Sequence, residues 1–410
     1  MKDKVVFDVI VKETQRENSV IELIASENYA SSEVLAAQGS ILTNKYAEGY
    51  PGKRYYGGCE FADEIENIAI ERAKSIFGVK FVNVQPHSGS SANLSVYLSI
   101  LKVGDKILGM DLLSGGHLTH GSNVNFSGRL FKFFSYSVDH NTGYINYDNV
   151  QKIASKVKPK MIVCGSSAYP RFIDFERFRT IADSVGAILM ADISHISGLV
   201  VAGEHLSPIN FAHVVTTTTH KTLRGPRGAI IMTNDHDIFE KIQKGVFPLT
   251  QGGPLMHIIA AKAVAFYEAS FPQFKIYQKN IVINAKALSS ALIARGFDVL
   301  TNGTDNHMFV VNLLKKGITG KEFQDLLDSC FIAVSRSTIP NDPKPPYISS
   351  GMRIGTPAVT SRNMSEREME QIADFISSIY LYRHDNTKLD SIREEVLTFI
   401  SKFPIPKSYV

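Results

Sequence analysis

Apolar positions along the chain fall into two periods that alternate with each other. Runs such as Met161-Ile162-Val163-Cys164-Gly165, Ala187-Ile188-Leu189-Met190-Ala191-Asp192 and Ala229-Ile230-Ile231-Met232 are short and apolar without interruption, the pattern of strands covered on both faces. Helix-like segments lie between them, for example Leu94-Ser95-Val96-Tyr97-Leu98-Ser99-Ile100-Leu101. The alternation predicts an α/β fold whose large domain covers residues 46–270. Residues 1–45 read as an N-terminal helical arm ending at Asn44. Tyr267 to Arg295 is strongly helical and leads into a smaller α+β domain, residues 271–410. Strands are expected there near Met308–Asn312 and Phe331–Val334, with charged amphipathic helices from Ser365 onward.

Where the apolar runs end, residues able to do chemistry follow. Thr216 to Thr219 are β-branched and favour an extended segment, and Gly225, Pro226 and Gly228 break it, so Lys221 falls at a strand end beside His220. An amine whose pKa is depressed by burial or by a neighbouring cation can form a Schiff base with an aldehyde; a solvated loop lysine fits the same local pattern. Asp192 closes the preceding apolar run and is followed by Ile193-Ser194-His195. It suits a ligand site at the carboxyl end of a parallel strand, and equally a helix cap. A pyridoxal phosphate enzyme needs such an aspartate, because a negative charge beside the pyridine nitrogen keeps that nitrogen protonated and the ring able to draw electrons. Gln85-Pro86-His87-Ser88-Gly89-Ser90-Ser91 leads into the helix-like Leu94 segment. Free amides and hydroxyls at a helix start make a phosphate cup, or a plain cap. Gln251-Gly252-Gly253-Pro254 is a second glycine turn before a helix, placed to close the same cup.

Together with Glu22-Leu23-Ile24-Ala25-Ser26-Glu27-Asn28-Tyr29, with Leu42 to Gly58 (LTNKYAEGYPGKRYYGG) and with Ser350-Gly351-Met352-Arg353-Ile354-Gly355-Thr356-Pro357-Ala358, these motifs make a chain that resembles the serine hydroxymethyltransferases over nearly its whole length. The resemblance implies a fold type I pyridoxal phosphate enzyme, aspartate aminotransferase-like, with a mainly mixed seven-stranded sheet. It implies pyridoxal 5'-phosphate bound as a Schiff base on Lys221 and tetrahydrofolate as co-substrate. The implied reaction is the reversible exchange of serine and tetrahydrofolate with glycine and 5,10-methylenetetrahydrofolate, within one-carbon metabolism. A side activity as a β-hydroxy amino acid aldolase goes with it.

Residue by residue, the resemblance makes Lys221, Glu48 and His220 the catalytic set, with Glu48 handling the proton. Gly89, Ser90, His117, Ser167, Asp192, His195 and Gly253 become cofactor ligands. His117 stacks on the ring, Ser167 and His195 lie near its phenolic oxygen, and Gly253 comes from the neighbouring subunit. Arg353 and Ser26 bind the substrate carboxylate, a task suited to a flat two-pronged guanidinium. Tyr46, Glu48, Tyr55 and Tyr56 complete the partner's substrate site across a homodimer interface. Leu112, Gly116, His117, Leu118, Ser337, Pro345, Pro346 and Tyr347 surround the folate. Three features depart from the family pattern: Ser337 for a common asparagine, Ser194 for a usual alanine, and Leu249-Thr250 before the second glycine turn. The rival readings are a threonine aldolase or another fold type I enzyme, and a binding protein that has kept the pocket. The Tyr46–Gly58 motif argues against the first, and joint retention of Lys221, Asp192, Arg353 and Glu48 against the second.

Composition narrows the rest. A formal charge of +4 on 410 residues, from 44 basic and 40 acidic side chains, gives no reason to expect nucleic acid as a partner. Cys59, Cys164 and Cys330 have no metal-ligand spacing and leave an odd thiol, which fits a reducing cytoplasm. No signal-peptide core and no membrane-length apolar run is seen, so a membrane is not an expected partner.

Overall fold

Seven strands build the central sheet of residues 30–279 in the computed structural model, which describes residues 3–408. Across the sheet they run Phe81–Asn83, Ala229–Thr233, Val214–Thr218, Ile188–Asp192, Met161–Gly165, Lys106–Met110 and Lys132–Tyr136. The last five pair in parallel, while Ala229–Thr233 is antiparallel to both of its neighbours, so the sheet is mixed as expected. The uninterrupted apolar runs are buried strands: Met161–Gly165, Val214–Thr218 and Ala229–Thr233 have no accessible residue. The helix Met256–Ala269 is apolar nearly all round and correspondingly buried, with Lys262 among its buried residues. Among the described residues no helix is long and apolar enough to cross a membrane.

Residues 3–29 and 280–407 form a second compact unit. Its sheet is antiparallel, in the order Asp298–Val299, Met308–Asn312, Gly351–Gly355, Ser335–Ser337. The stretch expected as one helical arm is more varied. Helices at Lys4–Ser19 and Ser32–Gln38 flank an extended segment in which Ile21–Glu22 pairs in parallel with Ile332–Ala333. Burial overrides local propensity here: Ile21 and Leu23 are fully buried against Leu288, Phe309, Phe323 and Ile372. Each such side chain contributes about 1.5–3 kcal/mol.

Arg362 ties the ends of this unit together. Its guanidinium is 1% exposed and donates to the carbonyls of Glu17, Asn18, Val20, Ile400 and Phe403. Arg362→Met strands those acceptors, and we expect it to destabilise this unit by about 3 kcal/mol or more. A urea midpoint no lower than wild type would show that water replaces the donors without loss.

Candidate active site

Parallel strands aim their carboxyl ends at one edge of the sheet, and that edge collects several of the residues singled out above. Met110 is followed by the Gly115–Gly121 loop, Gly165 by Ser167, Asp192 by Ser194 and His195, and Thr218 by His220 and Lys221. The loops touch one another: Ser167 N donates to the Gly115 carbonyl at 2.7 Å, and Thr222 Oγ1 donates to that of His195 at 3.0 Å.

Asp192 is buried, and donors face both of its oxygens. Oδ1 accepts from Ser194 N at 3.0 Å and Ser194 Oγ at 2.6 Å; Oδ2 contacts Asn93 Nδ2 at 2.9 Å and His120 Nε2 at 3.1 Å. Burial by itself pushes the carboxyl up. The bond to His120 and its charge, with the bonds from Asn93 and Ser194, more than offset this and hold Asp192 far below the usual carboxylate range. An ionised acid at the end of a buried strand is what a protonated ring nitrogen requires.

Asn93 also joins Asp192 to His117. Its Nδ2 donates to Thr119 Oγ1 at 2.8 Å, and Thr119 Oγ1 lies 2.8 Å from His117 Nδ1. Because Thr119 N donates to the same nitrogen, Nδ1 is an acceptor and the ring proton sits on Nε2. Half-buried His117 is thereby fixed in tautomer and in position.

The helix Gly89–Ile100 starts with Ser88 in a reciprocal capping arrangement with Ser91, which leaves the amides of Gly89 and Ser90 directed outward. Gly89 is needed for a close approach: a Cβ there would lie 2.8 Å from Thr218 Cγ2 and 3.7 Å from Ser194 Oγ. The helix start therefore rests against the strand end that leads to Lys221 and against a residue bonded to Asp192. This cradle, the charged Asp192 and the half-buried Lys221 fit pyridoxal phosphate at its phosphate, its ring nitrogen and its aldehyde respectively. His220 is held neutral: burial, then the charges of Lys221 and Arg227, bring its pKa down to about 3, and its Nδ1 has no hydrogen-bond partner among the described residues.

Glu48 is half-buried on a backbone fixed from both sides. Arg54 Nη1 donates to the carbonyls of Ala47 and Gly49 at 2.8 and 2.9 Å while its other nitrogens pair with Asp63 and Glu66. Gln85 Nε2 reaches the same Gly49 carbonyl at 2.9 Å. Around Glu48 lies an exposed aromatic group. The Tyr46 and Tyr56 rings pack at 4.9 Å, tilted by 52°, Tyr55 packs on Phe247 at 5.6 Å and is 77% exposed, and the Glu48 charge raises the Tyr56 phenol. A Cβ on Gly253 would lie 3.2 Å from the Tyr46 ring, and one on Gly252 3.1 Å from Glu48 Oε1. The two motifs expected to serve a neighbouring subunit thus form one patch.

In the other unit, Arg353 lies on the strand Gly351–Gly355 opposite Ser335, whose Oγ accepts from Arg353 Nε at 3.2 Å; burial brings the guanidinium down to about 10. Ser26 follows Ala25, which packs against Gly355, and Gly355 N donates to the Leu23 carbonyl at 2.8 Å. The segment that carries Ser26 thus runs beside the end of the strand that carries Arg353. Of the residues expected around folate, Leu112 is half-buried, Gly116 buried and Leu118 exposed in one unit, while Pro345, Pro346 and Tyr347 are exposed in the other. The Ser337 hydroxyl donates to the adjacent Thr338 carbonyl.

Asn93, His120 and Ser194 were not singled out as Asp192 partners. Ser194 lies in the Ile193-Ser194-His195 run, and for all three the available signal is a buried acid that must find donors.

A sheet of this topology with an ionised aspartate, a lysine and a helix start at one edge defines the class of fold type I pyridoxal phosphate enzymes. The family model described as serine hydroxymethyltransferase matches residues 1–376. Named serine hydroxymethyltransferases from a Nitratiruptor species and from Legionella pneumophila (strain Lens) are 55% and 54% identical over 404 residues, covering 98% of this chain and 97% of each relative. The chain belongs to the serine hydroxymethyltransferase family.

Proposed function

We propose that this protein catalyses the reversible transfer of the serine hydroxymethyl carbon to tetrahydrofolate, giving glycine and 5,10-methylenetetrahydrofolate. The observation that carries the reading is the joint placement of Asp192, the Gly89 cradle and the Lys221 strand end at one sheet edge, in a chain the family model matches over residues 1–376. When bound, pyridoxal phosphate supplies an electron sink for the bond broken at the substrate α-carbon.

The chain's own residues do the rest. Lys221 holds the cofactor covalently through its amine, and the amides of Gly89 and Ser90, with Gly253 of a second copy, take its phosphate. Asp192 holds the ring-nitrogen proton. His117 would cover one ring face, and Ser167 and His195 would serve the phenolic oxygen. Neutral His220 adds no competing positive charge beside Lys221. Arg353, helped by Ser26, orients the substrate carboxylate by two-pronged hydrogen bonding. Leu112, Gly116, Leu118, Ser337 and the Pro345–Tyr347 loop receive the folate. The exposed Tyr46, Tyr55 and Tyr56 patch supports an active homodimer that shares its sites, since aromatic surface of this kind is covered at interfaces. A cytoplasmic setting belongs to the same reading and keeps the thiols of Cys59, Cys164 and Cys330 reduced.

Glu48 moves the proton of the transferred one-carbon unit. Glu48→Gln should therefore leave the absorbance of the bound cofactor and the cleavage of allo-threonine near wild type, because that aldehyde leaves without folate. Serine cleavage with tetrahydrofolate should fall by about 10²- to 10⁴-fold. Equal loss of both activities would move Glu48 to the shared bond-breaking step or to the fold of the interface. A wild-type chain that made no glycine from serine and tetrahydrofolate would overturn the function itself.

A further inference from the structure

Lys262 takes no part in the roles above, yet it is a buried cation with a built environment. It lies in the helix Met256–Ala269, is 1% exposed, and its Nζ donates to the carbonyls of Val84 at 2.7 Å, Ala229 at 2.8 Å and Pro86 at 3.0 Å. All three partners are acceptors. An ammonium has three N–H groups to match them, whereas a neutral amine would point its lone pair at a carbonyl oxygen. Burial draws this amine down to about 7, and the charge of Glu66 opposes that shift. The three carbonyls oppose it further, so the geometry selects the charged form.

The clamped carbonyls stand next to both cofactor anchors. Pro86 and Val84 belong to the turn that enters the helix at Gly89, and Gln251 grips the same turn from the other side. Its Nε2 donates to the Gln85 carbonyl at 3.0 Å and its Oε1 accepts from His87 N at 3.0 Å. Ala229 N returns a bond to the Pro86 carbonyl at 3.1 Å. On the other flank, Thr219 N donates to the Gly228 carbonyl at 3.0 Å. Gly228 must lack a side chain, because a Cβ there would lie 2.5 Å from Lys262 Cε and 3.3 Å from Thr219 Oγ1. One ammonium thus touches the turn before Gly89 and the segment that continues from Lys221.

We propose that Lys262 is a positioning residue that fixes the phosphate cup relative to the lysine-bearing strand end. The proposal rests on the reading of Gly89–Ser90 as the cup and of Lys221 as the attachment point. Its signature is selective: loosening the turn costs the cofactor its phosphate contacts and leaves the aldehyde's reaction with Lys221 intact.

The test uses the full-length chain freed of cofactor and titrated separately with pyridoxal phosphate and with pyridoxal, which has no phosphate. Lys262→Met keeps the length of the side chain and removes the donors. We expect pyridoxal phosphate to bind about tenfold more weakly or worse, with pyridoxal affinity within about twofold of wild type. Equal losses for both ligands would reveal a merely structural lysine and overturn the proposal, as would unchanged pyridoxal phosphate affinity. Lys262→Gln, which keeps two N–H donors, should show the same selectivity at smaller size, and it decides the matter if the methionine variant does not fold. Failure of the wild-type chain to bind pyridoxal phosphate would instead overturn the cofactor reading itself.

Discussion

Lys221→Ala should abolish multiple turnover and leave no cofactor that borohydride can fix to the chain. The amine is needed twice, once to hold the cofactor covalently and once to release product by exchange. The alanine also removes a positive charge beside His220, whose neutral state depends in part on that charge. Mass spectrometry after borohydride reduction reads the first effect and steady-state kinetics the second. Normal turnover in the variant would remove Lys221 from the site.

Asp192→Asn should lower kcat by about 10²- to 10³-fold, the range for losing one preorganised electrostatic partner, with little change in KM for serine. Two effects act together. The negative charge that would keep the ring nitrogen protonated is gone. In addition an amide NH₂ must face donors, because Ser194 donates to one carboxylate oxygen and Asn93 to the other. The substrate contacts assigned to Arg353 and Ser26 are untouched, so binding and rate should separate. An unchanged kcat would reduce Asp192 to a structural residue.

The strand ends were legible because buried parallel strands declare themselves as unbroken apolar runs. Asp192 and Lys221 close or follow such runs, and the structure places both at the same sheet edge. The Gly89 cradle was legible as a glycine among serines before a helix. What holds these residues was not. Asn93, His120 and Ser194 converge on Asp192 from separate loops and a helix, and Lys262 finds its carbonyls far away in sequence. Local pattern carries no trace of such pairings. A lone lysine inside the apolar Met256–Ala269 helix was nevertheless a visible anomaly, since a buried amine requires acceptors. The extended segment around Ile21 was hidden for the converse reason: two residues of strand leave no period to read.

The pairing of Ile21–Glu22 with Ile332–Ala333 also sets an order of events during synthesis. Residues 3–29 leave the ribosome before the stretch 30–279, and the residues that cover them follow only after it. The contiguous stretch 30–279 can close on itself in the meantime. Bridging so long a gap adds little to the final free energy, because closure entropy grows only with the logarithm of length. It does delay the event, since distant contacts form late. A nascent chain therefore carries Ile21 and Leu23 uncovered until Ile332 and Ala333 have been made. A message truncated before Ile332 leaves that apolar edge permanently without its strand, a product for chaperones and proteases to clear.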